Sequence, residues 1–249
     1  MNGINLYNDD CFNILSQLEN DNTKLDCIIC DLPYYGVVES EFDNRWKSND
    51  EYMEWLCTFV EKCYSVLKEG RNIILFCSRQ NIWRISAMMY NAGFTENRTI
   101  IWARKRGFNS TRGKSLTSGY EPILFWSKGK SLTFNQIKLK INSKRKEYTK
   151  GFLKDGVNLT DVWTDIPALP HNSKEKTNHP TQKPLKLMER IVNLFTNKDD
   201  LVADFFMGSG TTGEACINLK RRFIGVEIDK KFFETAQERI QKNLLAYGI

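Results

Sequence analysis

The stretch Leu201-Val-Ala-Asp-Phe-Phe-Met-Gly-Ser-Gly-Thr-Thr-Gly213 decides the fold. It reads as a short β-strand, a glycine-rich turn and the start of a helix, and Gly208, Gly210 and Gly213 fit the spacing G-x-G-x-x-G. Glycines at such a turn let the backbone pass close to a ligand. A second strand, Arg222–Glu227, ends in an acid that could hydrogen-bond ribose hydroxyls. The pattern predicts a nucleoside cofactor, and the alternative is a tight turn between packed elements.

Strand-like and helical stretches alternate along most of the chain. Seven strand-like runs are rich in β-branched and aromatic residues: Ile4–Tyr7, Asp26–Cys30, Asn72–Cys77, Arg98–Ala103, Glu121–Trp126, Leu201–Asp204 and Arg222–Glu227. Apolar periodicity predicts helices at Glu51–Leu67, Gln80–Asn91, Leu185–Phe195, Thr212–Leu219 and Lys230–Leu244. This alternation predicts an α/β fold with a mostly parallel sheet between two layers of helices. Because no helix precedes Glu121–Trp126, that strand is expected to be an antiparallel edge strand.

The position of the glycine turn separates two kinds of nucleoside cofactor. In a dinucleotide-binding fold this turn opens the sheet, and several strands follow it. Only 36 residues follow Gly213, so the remaining strands must come from the N-terminal half in a circularly permuted order. Asp204 ends the strand before the turn, and in methyltransferases an acid there typically faces the cationic methionine end of the cofactor. Both features favour S-adenosylmethionine over NAD.

A second motif, Asp31-Leu32-Pro33-Tyr34, follows an apolar strand. Since ligands bind beyond the carboxyl ends of parallel strands, this motif is expected on the same rim as the glycine turn. An aromatic amine becomes a better nucleophile when two acceptors hold its hydrogens, and Asp31 and the carbonyl of Leu32 are the candidates. Pro33 would stiffen the turn, and Tyr34 would stack on an extruded base. The alternative is an ordinary turn at a strand end.

The composition argues against several classes of protein. No apolar run approaches the ~20 residues of a membrane span, and the polar N-terminus does not resemble a signal peptide. The seven cysteines, an odd number, indicate reduced thiols and a cytoplasmic location. Cys27 and Cys30 could serve redox or metal chemistry. They lie in a predicted strand, where their side chains point to opposite faces, so no metal site is predicted.

Basic residues concentrate in one part of the chain. Residues 104–154 hold 14 Lys and Arg against two acids, which leaves −6 for the rest of a chain whose net charge is +6. This asymmetry favours a polyanionic partner, and the alternative is a solvated lysine-rich face. Residues 105–119 read as a flexible loop, and residues 128–178 as an insertion with a hairpin around Leu132–Ile141.

Taken together, the motifs resemble the amino-methyltransferases of the β permutation group, which methylate adenine N6 or cytosine N4 in DNA. The resemblance covers nearly the whole chain except the insertion, and its segments are Asn8–Cys11, Asp31–Tyr34, His179–Pro184, Asp204–Thr212 and Arg222–Glu227. The order, with the catalytic motif before the cofactor turn, defines the group. Leu32 departs from the family motif Asp-Pro-Pro-Tyr, which implies a less rigid loop.

The resemblance implies a Rossmann-like class I methyltransferase fold with seven strands in the order 3-2-1-4-5-7-6. It divides the chain into a catalytic half (1–127), a target-recognition insertion (128–178) and an S-adenosylmethionine-binding half (179–249). Glu227 should hold the cofactor ribose, Asp10 its adenine amino group, and Thr181 to Lys183 should lie near its methionine end. The implied cofactor contacts are Asp10, Thr181, Lys183, Asp204, Phe206, Gly208, Ser209, Gly210, Thr211, Thr212 and Glu227.

The implied activity is direct methyl transfer to the exocyclic amine of a flipped-out base in double-stranded DNA, without a metal or a covalent intermediate. Asp31 in place of serine favours adenine over cytosine. The implied DNA contacts are Arg104, Lys105, Arg106, Arg112, Lys114, Lys144, Arg145 and Lys146. Further implied partners are a second copy of the chain and a cognate restriction enzyme. Cytosine N4 methylation, methylation of RNA or protein, and a non-catalytic DNA-binding module are the alternatives.

Overall fold

The structure, a computed structural model, describes residues 3–35, 45–108, 116–139, 156–170 and 172–247, without the side chains of residues 105–108. The strands in this part of the chain are β1 (Ile4–Tyr7), β2 (Leu25–Asp31), β3 (Leu67–Phe76), β4 (Phe94–Phe108), β5 (Ser118–Lys128), β6 (Lys138–Leu139), β7 (Val157–Asn158), β8 (Val162–Trp163), β9 (Leu201–Asp204) and β10 (Arg222–Val226). The helices are α1 (Cys11–Asn20), α2 (Asn49–Val66), α3 (Ile82–Asn91), α4 (Leu185–Phe195), α5 (Thr211–Asn218) and α6 (Lys230–Ala246).

The main sheet has the strand order β1-β10-β9-β2-β3-β5-β4-β8. Strands β1, β10, β9, β2 and β3 run parallel, whereas β5 runs antiparallel to β3 and β4. With β9 as strand 1, the first seven positions match the predicted order 3-2-1-4-5-7-6. The predicted fold and order are confirmed. The predicted number of strands is wrong, because the two-residue strand β8 pairs with the outer edge of β4.

The hairpin of β4 and β5 differs from the sequence prediction in two ways. β5 is antiparallel as predicted, but it lies inside the sheet between β3 and β4 rather than at an edge. The hairpin is also longer than predicted, since Phe108 pairs with Ser118 within the stretch that was expected to be a loop. Backbone pairing continues there because an antiparallel ladder does not depend on apolar side chains. Residues 109–115 lie outside the described part of the chain.

Helix α1 was not predicted, although its sequence carries the signals of a helix. Asp10 caps it by accepting a hydrogen bond from the Phe12 amide at 2.8 Å. Its buried side chains, at helical spacing, are Cys11, Ile14, Leu15 and Leu18. No helix in the part of the chain that is described has the length and apolarity needed to cross a bilayer.

The two faces of the sheet carry separate apolar clusters. One contains side chains of α1, α2 and α3, and the other contains side chains of α4, α5 and α6. Cys30 belongs to the first cluster and Cys27 to the second, which agrees with their predicted opposite orientation. Burial raises the pKa of both thiols well above the usual value. Both cysteines therefore serve as packed core residues.

The described parts of the predicted insertion pack against the body of the protein. The Leu132 amide donates to the Gly70 carbonyl (2.9 Å), and the Asn135 amide donates to the Leu194 carbonyl (2.8 Å). Further along, the Trp102 indole donates to the carbonyl of buried Ile166 at 2.7 Å. The predicted hairpin around Leu132–Ile141 is wrong, because β6 pairs with β7 and not within that stretch. Residues 140–155 lie outside the described part of the chain.

Candidate active site

A cavity of about 370 Å³ opens at the carboxyl ends of the parallel strands. The motif Asp31–Tyr34, which follows β2, lines it together with Asp10 and Glu227, which follow β1 and β10. A smaller recess of about 30 Å³ is lined by Asp31 and by Gly208 of the glycine turn. The two motifs therefore meet at one rim of the sheet, as their positions after parallel strands predicted. The volume of the larger cavity lies in the range of small-molecule sites.

The backbone of the glycine turn has a conformation that would be strained if other residues replaced the glycines. Gly208 and Gly210 have φ values of +51° and +78°, in the left-handed region. A Cβ atom on Gly208 would lie 2.8 Å from the His179 Nε2 atom, and one on Gly213 would lie 2.6 Å from the Ile240 side chain. Ser209, Thr211 and Thr212 line the smaller recess, whereas Gly210 lines neither space and begins helix α5.

Two carboxylates on the wall of the cavity are held by backbone amides. The Glu227 carboxylate accepts hydrogen bonds from the Gly208 and Asp229 amides, both at 2.9 Å. Burial raises the pKa of Glu227 above its usual value. Asp10 accepts from the amide of Phe12, and its second oxygen lies 3.9 Å from the Arg45 guanidinium. These contacts fix the orientation of both carboxylates.

Asp204, at the end of β9, is a buried carboxylate in the glycine-turn recess. It accepts hydrogen bonds from the Thr212 hydroxyl at 2.5 Å and from the Phe206 amide at 3.0 Å. Its side chain is almost fully buried, and none of the described Lys and Arg residues forms an ion pair with it. Burial raises its pKa to about 7, because the two hydrogen bonds do not offset the loss of hydration.

Asp31 forms a compact cluster with Tyr34 and Lys183. The Tyr34 hydroxyl donates to Asp31 Oδ1 at 2.6 Å, and the Lys183 ammonium contacts Asp31 Oδ2. Burial opposes the charge of Lys183, but Asp31 and Glu121 outweigh it and raise the lysine pKa above its usual value. Burial, together with the negative charge of Asp31, raises the pKa of Tyr34 well above normal. Both Asp31 oxygens are thus already engaged.

Glu121 is a site residue that the sequence analysis did not single out. It lies in β5, directly opposite Trp102 of β4, and its Oε2 atom is 3.6 Å from the Lys183 ammonium. Arg104 approaches the other oxygen, Oε1, at 3.5 Å, and its side chain is only 11% exposed. One signal was available in the sequence, since Glu121 is one of two acids in the otherwise basic stretch 104–154.

The predicted DNA contacts fall into three groups. Arg104 lies beside Glu121, 3.5 Å from Oε1, and its side chain is 11% exposed, so its role as a phosphate contact stays a prediction. Lys105 and Arg106 belong to β4, but their side chains are not described. The other predicted contacts lie outside the described residues: Arg112, Lys114, Lys144, Arg145 and Lys146.

Leu32 stands where the family motif has a proline, and its own contacts support the loop. Its amide donates a hydrogen bond to the Phe76 carbonyl at 3.2 Å, which a proline could not do. Its side chain is fully buried in the apolar cluster that includes α1 and α2. The next carbonyl, that of Pro33, accepts a hydrogen bond from the Tyr52 hydroxyl at 2.7 Å. These contacts hold the turn that carries Asp31 and Tyr34.

The segment before α4 brings the predicted residues Thr181, Gln182 and Lys183 to the site. Thr181 lines both the cavity and the recess, and Lys183 reaches Asp31. Gln182 fixes the segment by accepting from the Thr177 amide at 2.7 Å. His179 packs against the ring of Phe232 at 4.5 Å, and burial lowers its pKa to about 4. Phe232 also lines the cavity, but it lies in a predicted helix and belongs to no motif, so no sequence signal pointed to it.

Known proteins resemble this chain over most of its length. A family model described as DNA methylase matches residues 25–238. The type II methyltransferase M.HpaI of Haemophilus parainfluenzae is 32% identical over 238 residues, which cover 92% of this chain and 73% of that protein. The DNA adenine methyltransferase YhdJ of Escherichia coli (strain K12) is 31% identical over 231 residues, which cover 87% of this chain and 76% of that protein. The crystal structure of an M1.HpyAVI–SAM complex has a TM-score of 0.70 and 30% identity and covers 95% of this chain and 98% of that chain. The chain belongs to the DNA methylase family.

Proposed function

We propose that this protein transfers the methyl group of S-adenosylmethionine to the N6 amine of an adenine extruded from duplex DNA. One observation carries the proposal: the motif Asp31–Tyr34 shares a single cavity with Asp10 and Glu227. The motif Asp31–Tyr34 is suited to hold an amine, and the acids Asp10 and Glu227 are suited to hold a nucleoside. The relative named as a DNA adenine methyltransferase and the relative solved with SAM support this choice of base and cofactor.

The residues of the cavity fit the chemical parts of S-adenosylmethionine. Asp204 is a buried carboxylate without a cationic partner among the described residues, and the α-ammonium group would supply the missing charge. Glu227 already accepts two backbone amides, and its remaining lone pairs suit the ribose hydroxyls. Asp10 would accept from the adenine amino group. Bound S-adenosylmethionine supplies a methyl group on a positively charged sulfur.

The chain's own residues would position the target amine. Asp31 and the Leu32 carbonyl would accept its two hydrogens and direct its lone pair toward the methyl group. The Tyr34 hydroxyl fixes one oxygen of Asp31, and the Tyr52 hydroxyl fixes the Pro33 carbonyl, so the turn is ready before the base arrives. Tyr34 also lines the cavity and would stack on the base. Positioning and electrostatic stabilisation would supply most of the rate enhancement.

The DNA would be held by the basic part of the chain. Lys105, Arg106, Arg112, Lys114, Lys144, Arg145 and Lys146 are proposed to contact phosphates, and binding should weaken as salt is added. Arg104 is proposed as a further contact, although it also pairs with Glu121. Three further features remain predictions: the division of the chain into 1–127, 128–178 and 179–249, a homodimer, and a cognate restriction enzyme. Relatives named as type II methyltransferases support the restriction partner, and seven free cysteines are in line with a cytoplasmic location.

A methyl-transfer assay tests the proposal. DNA amplified in vitro, which carries no methyl groups, is incubated with the protein and S-adenosylmethionine labelled in its methyl group. The DNA is then digested and its nucleosides are separated. We expect label in N6-methyldeoxyadenosine. Label in N4-methyldeoxycytidine would establish the cytosine alternative, and label only in a parallel RNA sample would overturn the DNA substrate. No label, with S-adenosylmethionine still bound, would indicate a non-catalytic module.

A further inference from the structure

Four charged side chains form an alternating row behind the catalytic motif. Arg104 lies 3.5 Å from Glu121 Oε1, Glu121 Oε2 lies 3.6 Å from the Lys183 ammonium, and Lys183 contacts Asp31 Oδ2. Lys183 and Arg104 are 7% and 11% exposed, and Glu121 is 17% exposed. Their charges therefore interact with little screening by water. Lys183 is the member that stands between two carboxylates.

The positions of these groups create a conflict for the reaction. Asp31 must accept a hydrogen from the target amine, but Tyr34 and Lys183 each already take a lone pair on one of its oxygens, and an ammonium on Oδ2 neutralises the carboxylate and makes it a weaker acceptor. If Lys183 withdrew without another partner, a buried ammonium would lose its counter-charge, which is strongly unfavourable. An acceptor close by would remove that penalty.

Glu121 has the properties of that acceptor. Its Oε2 atom is buried and has no hydrogen-bond partner among the described residues. It faces the Lys183 ammonium at 3.6 Å, just beyond hydrogen-bonding distance, so a small movement of the lysine would complete the bond. Arg104 approaches the opposite oxygen, Oε1, and thus holds the carboxylate without occupying Oε2.

We propose that Glu121 is a positioning residue that takes the Lys183 ammonium when the target base docks on Asp31. In the empty site Lys183 stays on Asp31 and keeps its charge compensated. As the base amine approaches, the ammonium moves to Glu121 Oε2, and Asp31 Oδ2 regains its full strength as an acceptor for the amine hydrogen. Every buried charge keeps a partner throughout. The inference rests on the proposed methyl transfer.

The test compares variants in single-turnover methyl transfer to amplified DNA. Glu121→Gln keeps the shape but cannot compensate an ammonium, so its transfer rate should fall about tenfold or more, while the dissociation constants for S-adenosylmethionine and DNA change less than about threefold. Glu121→Asp keeps the charge and should recover part of the rate. Glu96→Gln, at an exposed position of β4, is the matched control and should stay within about twofold of the unmodified protein.

A double-mutant cycle separates this role from a structural one. In a Lys183→Met background, Glu121→Gln should slow transfer further by less than about twofold, because the ammonium it would receive is absent. Losses that multiply independently would overturn the inference, as would a Glu121→Gln variant with the full rate. If the unmodified protein transfers no methyl group, the proposed function fails and this inference fails with it.

A structure of the unmodified protein gives a readout that does not depend on variants folding. The protein would be crystallised with duplex DNA and an S-adenosylmethionine analogue that has no transferable methyl group. We expect the Lys183 nitrogen within hydrogen-bonding distance of Glu121 and the base amine on Asp31. A lysine that still contacts Asp31, with Glu121 beyond 3.5 Å, would contradict the exchange.

Discussion

Two buried aspartates at opposite ends of neighbouring strands have opposite pKa shifts. Asp26, the second residue of strand β2, is 3% exposed, and Asp204, at the end of β9, is 4% exposed. Burial opposes the charge of Asp26, but the Leu201 amide and Lys68 outweigh it and lower its pKa below the usual value. Burial instead raises the pKa of Asp204 to about 7. Similar exposure thus goes with opposite pKa shifts, because Asp26 has a backbone donor and nearby cations, whereas Asp204 is more strongly desolvated and has the carboxylates of Asp31 and Glu227 nearby.

We call the amino ends of the parallel strands, where Asp26 lies, the structural end of the sheet. The carboxyl ends, where Asp204 lies, are the ligand end. At the structural end, Lys68 lies 2.8 Å from Asp26, and Arg71 bridges Asp26 at 3.2 Å and Asp200 at 3.1 Å. At the ligand end Asp204 has only hydrogen-bond donors. A buried acid that the fold leaves without a counter-charge indicates a place where a ligand brings one.

The largest effect is expected at the ligand end, from Asp31→Ala. This variant removes an acceptor for the target amine but leaves Glu121 to compensate Lys183, so the fold and the cofactor site should persist. The methyl-transfer rate should fall roughly 10³-fold, the size of loss seen when a group that stabilises a transition state is removed. Transfer assays and equilibrium dialysis with S-adenosylmethionine measure the two properties. A fully active variant would refute the role of Asp31.

At the structural end, Asp26→Asn should change stability and leave the chemistry intact. The free energy of unfolding should fall by about 1–3 kcal/mol, because Lys68 loses its charged partner and Arg71 loses one of its two. Since the folded pKa of Asp26 is lowered, its contribution is present above its unfolded pKa and is lost as pH falls through the folded pKa. Urea denaturation at neutral and acidic pH should therefore show the difference from the unmodified protein shrinking on acidification.

Asp199→Asn is a matched control for Asp26→Asn. The Asp199 side chain is 78% exposed, and asparagine tolerates its left-handed backbone, so stability should change by less than about 0.5 kcal/mol. Methyl transfer per folded molecule should stay unchanged in both variants. A loss of transfer in the Asp26 variant would contradict the separation of the two ends.

A smaller effect is expected from pH on cofactor affinity. In the proposed site only an ionised Asp204 would pair with the α-ammonium group, and its pKa of about 7 leaves it mostly protonated at pH 6. The dissociation constant for S-adenosylmethionine should therefore be roughly tenfold larger at pH 6 than at pH 8. His179, with a pKa of about 4, does not titrate in this window. Calorimetry measures the change, and an affinity that is independent of pH would show that Asp204 does not contact the ammonium.

The smallest effect is expected from Gly208→Ala in the glycine turn. The new Cβ would lie 2.8 Å from the His179 ring on a backbone with φ of +51°, so stability should fall by about 1 kcal/mol. Gly119→Ala is the control, because nothing lies within 4 Å of a Cβ there. Thermal denaturation compares the two variants. An equal effect at both positions would show that the turn is less constrained than its geometry indicates.

The sequence predicted most of the fold because its signals are local. Strands β1 and β9 and helix α4 have the predicted bounds, since each is marked by periodicity and by its flanking residues. The strand order followed from the family resemblance. Strand β8 was missed because two residues carry no periodicity. Strand β5 was predicted at an edge because no helix precedes it, but the lack of a connecting helix does not reveal which strands become its neighbours.

The sequence by itself determined the kind of chemistry: a glycine turn after an acid, and a second acid followed by proline and tyrosine. Both are short motifs, and their positions after parallel strands were enough to place them on one rim. Only the tertiary structure decided which charges meet. Arg104 faces Glu121 rather than solvent, and Glu121 faces Lys183, because the pairing of β4 with β5 and the path of the segment before α4 bring distant residues within a few ångströms. Such contacts depend on strand register and packing, which no local pattern encodes.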